Sequence, residues 1–209
     1  MEDFTLTNIL HVVGQGIKIP CIVVLLLLLV ATVWQIGDIL VEFIIERRKV
    51  REDVPALLKK LNGMQPQEMK EAINDSKILK SQRKMLIELI EADEMPKNSQ
   101  TALAQKLLDD ESASFERANV ISDTVAKIGP MFGLLGTLIP LGPGIVALGQ
   151  GDTATLSDSL GVAFDTTVAG LIAAALCFVI SGIRRRWYDD YMSTSEAIAE
   201  IILEGEGDK

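Results

Sequence analysis

Apolar positions gather in three long runs, 19–37, 128–149 and 160–183; between them apolar residues return only every third or fourth place. Each run is close to the ~20 helical residues that cross a ~30 Å hydrocarbon core at 1.5 Å rise per residue. The first two runs hold no charge, and the third holds Asp165 alone. The pattern predicts three transmembrane helices at 19–45, 127–149 and 158–183, the last two joined by a short loop at 150–157. The runs differ in texture. Residues 22–33 are rich in Leu, Val and Ile and read as facing lipid, whereas the second and third runs carry Gly, Ala, Thr and Pro, the residues of close helix contacts.

The segment between the first two spans, 46–126, keeps a helical period. Pro55 suits a first turn ahead of Leu57, Leu58 and Leu61, and Asn62-Gly63 closes that helix. Pro66 opens another helix over 67–74. Ile78, Leu79, Met85, Leu86, Leu89 and Ile90 share one face of a third, which ends near Met95-Pro96. From Asn98 or Ser99 a long helix carries Leu103, Leu107, Phe115, Val120 and Ile121; with no Gly or Pro over 98–128, it should enter the second span unbroken. The expectation is an all-α membrane protein whose spans are extended by a cytoplasmic helical hairpin and a C-terminal helix at 184–209.

Residues 1–18 form an amphipathic outer-surface segment with Phe4, Ile9, Val12 and Val13 at helical spacing, ending at Gly14 and Gly16. The single histidine, His11, reads as an ordinary interfacial residue. Basic residues follow the first span (Arg47, Arg48, Lys49, Arg51) and the third (Arg184, Arg185, Arg186), while 150–159 has two Asp and no Lys or Arg. By the positive-inside rule the N-terminus lies outside and the C-terminus in the cytoplasm of a cell membrane. The leader is acidic and no small-residue cleavage site precedes Trp34, so the first span reads as a retained anchor. Asp38, Glu42 and Glu46 recur every four residues as a solvated helical face, the alternative for Asp38 being a buried proton carrier. The net charge of −9 argues against a nucleic-acid partner. No metal-ligand spacing surrounds Cys21 or Cys177, and no phosphate loop or nucleophile motif occurs, so neither an enzyme nor a bound cofactor is expected.

The chemistry sits in the last two spans. On the second, Ala126, Pro130, Gly133, Thr137, Pro140 and Gly144 form a smooth stripe, beside which lies Gly136; Thr137 is its only side-chain hydrogen-bonding group. Pro140 and Pro143 each delete a backbone donor and leave carbonyls one turn earlier free. Thr137 either lines a polar path or bonds back onto its own helix. On the third span, Ala163, Thr167, Gly170 and Ala174 form a matching stripe, and Asp165 lies on the adjacent face. A carboxyl about five residues into a span is costly unless water, a cation or hydrogen bonds reach it. Asp165 serves either ion transit or structure, by holding Thr166 or by favouring the helix start.

These blocks, Gly129-Pro-Met-Phe-Gly-Leu-Leu-Gly-Thr137 and Ala163-Phe-Asp-Thr-Thr-Val-Ala-Gly-Leu171, resemble the signature of the MotA/TolQ/ExbB proton-channel family, and the span count resembles its TolQ/ExbB-like three-span branch. The resemblance implies a homopentamer around an ExbD/TolR-like partner dimer, single-span, whose membrane aspartate carries H+ or Na+, with Thr137 and Thr167 beside it. It implies an ion-driven rotary motor subunit with no cofactor other than the transported ion. The chain departs from the branch in carrying Val162 where a glutamate is usual, and an acid at Asp165 instead. The alternative reading is a non-conducting membrane scaffold that recruits cytosolic proteins through the face of Leu86, Leu89 and Ile90.

Overall fold

The computed structural model describes residues 2–46, 54–93 and 95–205; the basic cluster at 47–51 and the side chain of His11 lie outside the described residues. Every regular element among them is helical: α1 (Glu2–Val41), a π-helical turn (Glu42–Glu46), α2 (Val54–Leu61), α3 (Pro66–Asp75), α4 (Lys80–Glu91), α5 (Lys97–Gly149) and α6 (Thr153–Gly205). Three helical stretches are long and apolar enough to cross a membrane, Gly16–Ile44, Lys97–Gly149 and Thr153–Glu204; their apolar 18-residue windows have mean hydropathies of 2.6, 1.8 and 2.2. The protein is a multi-pass membrane protein.

Several boundaries differ from the sequence expectation. No break separates the amphipathic 1–18 segment from the first span, since α1 runs through Gly14 and Gly16. An isolated helical glycine costs only about 1 kcal/mol, which apolar neighbours offset. The 150–157 loop shrinks to a turn at 150–152, with Gly151 at φ +82°. The third span and the C-terminal helix are one continuous α6. As expected, α5 enters the second span unbroken, and it continues through Pro130, Pro140 and Pro143.

The chain divides into two compact units. The first comprises 1–37 and 120–182 and is a three-helix bundle. Its core joins Leu28 of α1, Val125 of α5 and Ala173 and Cys177 of α6, with Val24, Ile128 and Phe132 against them. Both cysteines are buried free thiols, as their sequence setting suggested. Cys21 donates to the Phe132 carbonyl at 3.6 Å, and Cys177 to Thr32 Oγ1 at 3.6 Å. Leu26, Leu27, Val30, Val33 and Trp34 lie exposed on the outer face of α1, as a lipid-facing helix requires.

The second unit comprises 38–119 and 183–209. It is a helical domain with its own core, in place of the expected hairpin. Leu57, Leu61, Met69, Ile73, Met85, Leu86, Leu89 and Ile90 bury their side chains with Ile198 and Ile202 of α6. Gln82 sits at 1% exposure inside this core. Its amide donates to the Tyr191 carbonyl at 2.6 Å and to Ser195 Oγ at 2.9 Å, while its Oε1 accepts from the Leu79 N–H at 3.1 Å. A buried amide is tolerated because each polar end is satisfied. The face of Leu86, Leu89 and Ile90 is therefore core, not a free recruiting surface. On α5, Val120 and Ile121 are exposed, and Gln100, Ala104, Glu111 and Asn119 are buried.

Glu42 corrects a further expectation. It is not solvated: its carboxylate accepts from Arg184 Nε at 2.9 Å, with side-chain exposures of 12% and 6%. The same guanidinium donates to the Ala118 carbonyl at 3.3 Å. Phe43 stacks on Trp187 and Phe115 on Tyr188, with ring centroids 6.1 and 4.5 Å apart. π-Helical turns mark places where a helix must re-aim its side chains, and this one carries both Glu42 and Phe43.

Candidate ion pathway in the membrane unit

Glycines set the distance between α5 and α6. A methyl at Gly129 would stand 2.9 Å from the Gly170 carbonyl oxygen, and one at Gly170 would stand 2.6 Å from the Gly129 carbonyl oxygen and 2.9 Å from Gly133 Cα. Backbone meets backbone there, so no side chain larger than hydrogen fits. At Gly144 the limit comes from Ser159, 3.0 Å from such a methyl at Cβ. Gly133, Gly136 and Gly170 are buried at this contact, and Pro140 is buried as well. Pro130 is exposed, and Gly129 makes the contact with α6. At 100° per residue, position 129 shares the face of Gly133 and Gly136, and position 130 turns past it.

The polar residues divide by their partners. Thr137 Oγ1 donates to the carbonyl of Leu134 on its own helix at 2.7 Å. Thr166 Oγ1 likewise returns to its own helix, 3.0 Å from the Val162 oxygen and 2.9 Å from that of Ala163. Thr167 differs. Its hydroxyl crosses to α5 and donates to the Gly133 carbonyl at 3.3 Å. The glycine at 133 brings that carbonyl within reach, so the stripe and the hydroxyl act together.

Asp165 stands apart from all of these. It is exposed, on the side of α6 turned away from the α5 contact. Val162, Phe164, Val168, Leu171 and Ile172 around it are exposed as well. Thr166 does not donate to it, and α6 begins more than three turns earlier at Thr153. Neither structural role considered for it from sequence, a clasp on Thr166 or a helix-start acid, is present. Among the described residues it forms no ion pair. In lipid alone such a carboxylate costs about 2.5–3.5 kcal/mol on insertion scales.

Sequence reasoning missed one polar group at the other end of the bundle. Ser181 donates to the Asp123 carboxylate between α6 and α5. Serine and aspartate at the margin of a span carry no distinguishing pattern of their own.

Three apolar helices, two of them packed together through glycine, define a multi-pass membrane protein. The sequence matches the MotA/TolQ/ExbB proton channel family over residues 60–197 of 209, and the chain belongs to that family. No individual curated protein matches it significantly.

Proposed function

We propose that this chain is the pore-forming subunit of an ion-driven rotary motor in the cell membrane. Five copies surround an ExbD/TolR-like partner dimer of single-span helices, and H+ or Na+ passing between them does mechanical work. The N-terminus lies outside and the C-terminus in the cytoplasm. Membership of a proton channel family supports conduction. The observation that carries the rest is the exposed Asp165 within an exposed apolar face of α6. A carboxylate in that setting needs an aqueous or protein neighbour, and assembly with other copies and a partner supplies one. The ion path then runs by Thr137, Asp165, Thr166 and Thr167. One charge crossing 100 mV releases about 2.3 kcal/mol, enough to bias rotation.

The test is reconstitution with a co-expressed single-span partner, counting subunits by native mass spectrometry and measuring ion flux in vesicles. Asp165→Asn and Thr137→Val should assemble normally and lose flux. Undiminished flux in both variants, or a conducting monomer, would overturn the reading. The scaffold alternative loses its recruiting surface, because Leu86, Leu89 and Ile90 are 0%, 1% and 5% exposed.

A further inference from the structure

The charges of α4 run against its own dipole. Residues 76–87 carry Lys77, Lys80, Arg83 and Lys84 and no acid, in a chain with 29 acidic and 20 basic residues. The first turn of α4 holds no acid and its last turn no base, and Glu88 and Glu91 stand at its end. A helix start favours negative charge and a helix end positive, so this order weakens α4. The lysines of α2 show the ordinary arrangement, Lys59 and Lys60 standing in its last turn. Lys80 and Lys84 are exposed, and neither forms an ion pair among the described residues. Arg83 is engaged locally, its guanidinium donating to the Ser76 carbonyl at 2.7 Å.

Within the second unit, the start of α4 also lies at a particular level on α6. Ile78 and Gln82 share one cavity with Trp187 and Tyr191, and Gln82 donates to the Tyr191 carbonyl. Trp187 directly follows Arg184, Arg185 and Arg186, where the third apolar run ends. At 1.5 Å rise per residue, Tyr191 is about 7.5 Å beyond Arg186 along α6. That is within the ~10 Å over which a surface charge acts in 0.1 M salt, and lysine stems extend the reach. We infer that Lys80 and Lys84 dock on anionic phospholipid headgroups of the membrane that α6 has just left. The headgroups supply the negative charge that the start of α4 lacks, and they hold α4 at the bilayer margin. The inference needs α6 to cross a membrane; it needs neither ion conduction nor a partner.

The test is hydrogen exchange of the purified full-length chain in lipid nanodiscs, read on the amides of 77–87. In discs containing phosphatidylglycerol these amides should exchange several-fold more slowly than in pure phosphatidylcholine. NaCl at about 1 M should remove the difference, since it shortens the screening length to about 3 Å. Lys80→Gln with Lys84→Gln should lose the difference, and Lys80→Arg with Lys84→Arg should keep it. A second readout separates docking from mere stability. Lys80→Glu places an acid in the first turn, so the melting temperature in phosphatidylcholine should rise while the phosphatidylglycerol effect disappears. Equal exchange in the two lipids, or a lipid effect that the Gln variant retains, would overturn the docking. So would equal protection by inorganic phosphate or by an acidic peptide in phosphatidylcholine discs, which would assign the lysines to a soluble anion or to a protein. None of these measurements involves flux, so the docking can fail while the motor reading holds, and the reverse.

Discussion

Gly136 and Thr166 touch so closely that a methyl on the glycine would stand 2.5 Å from Thr166 Oγ1 and 2.6 Å from its Cβ. Both distances are well inside van der Waals contact, and a Cβ cannot swing aside as a flexible side-chain end can. Gly136→Ala should therefore destabilise the bundle by about 1–3 kcal/mol. The expected drop in melting temperature is about 2–4 °C for each kcal/mol in a chain of this size. Gly142→Ala is the matched control. Nothing lies within 4 Å of a methyl there, so the helix-propensity gain should make it neutral or slightly stabilising. Equal losses from the two substitutions, measured by thermal unfolding in detergent, would show that the contact does not set the helix spacing.

Buried charge makes a second prediction. Arg184 and Glu42 form their pair at 6% and 12% exposure, and Arg184 also bonds the Ala118 carbonyl. Removing only the acid takes a carboxylate away from a guanidinium in a dry site, at up to about 3–5 kcal/mol. Glu42→Ala should lower the melting temperature far more than a surface substitution such as Asp110→Ala, whose partner Lys106 is exposed. Replacing both members, Glu42→Leu with Arg184→Met, should recover most of the loss.

Much of this arrangement is legible in the residues themselves. Long uncharged runs can only be spans, and an α5 free of Gly and Pro over 98–128 could only enter the membrane unbroken. Gly133, Gly136 and Gly170 were legible too, since small residues at three- and four-residue spacing serve one purpose between helices. Gly129, which makes the closest contact with Gly170, was not singled out: a stripe of small residues carries no polar side to show where its edge lies. Periodicity names a buried face and not the element that covers it. Hence Leu86, Leu89 and Ile90 were legible as one face, while their covering by Ile198 and Ile202, more than a hundred residues away, was not. Glu42 looked solvated because its partner Arg184 is equally remote in sequence.

The start of α6 gives a prediction in pH. Asp152 accepts from the Thr155 N–H at 3.0 Å and from Thr155 Oγ1. The Thr155 hydroxyl, and next its N–H, hold the carboxyl below the usual carboxylate range. A depressed folded-state pKa means the charged form is favoured by folding. The stabilisation is complete above the unfolded value of 3.8 and is lost as pH falls through the lower folded value. The melting temperature of the parent should exceed that of Asp152→Ala near neutral pH, and the gap should close on acidification below about pH 4. A gap that stays constant from pH 7 to pH 3 would exclude the cap as its source.

The hydroxyl that crosses between helices should matter differently from those that do not. Thr167 donates to the Gly133 carbonyl at 3.3 Å, whereas Thr137 and Thr166 return to their own helices. Thr167→Val keeps the volume and removes the donor, so the Gly133 carbonyl loses its hydrogen bond from α6. The stability loss should be about 1 kcal/mol, the net worth of one such bond. If the Thr167 hydroxyl also lines the ion path, flux in the reconstituted complex should fall further than this, by about tenfold or more, since each 1.36 kcal/mol on the barrier is a factor of ten. Thr167→Ser restores the donor and should recover both quantities. A variant that loses stability but conducts normally would confine Thr167 to holding the helices together, with Thr137 and Asp165 left to carry the path.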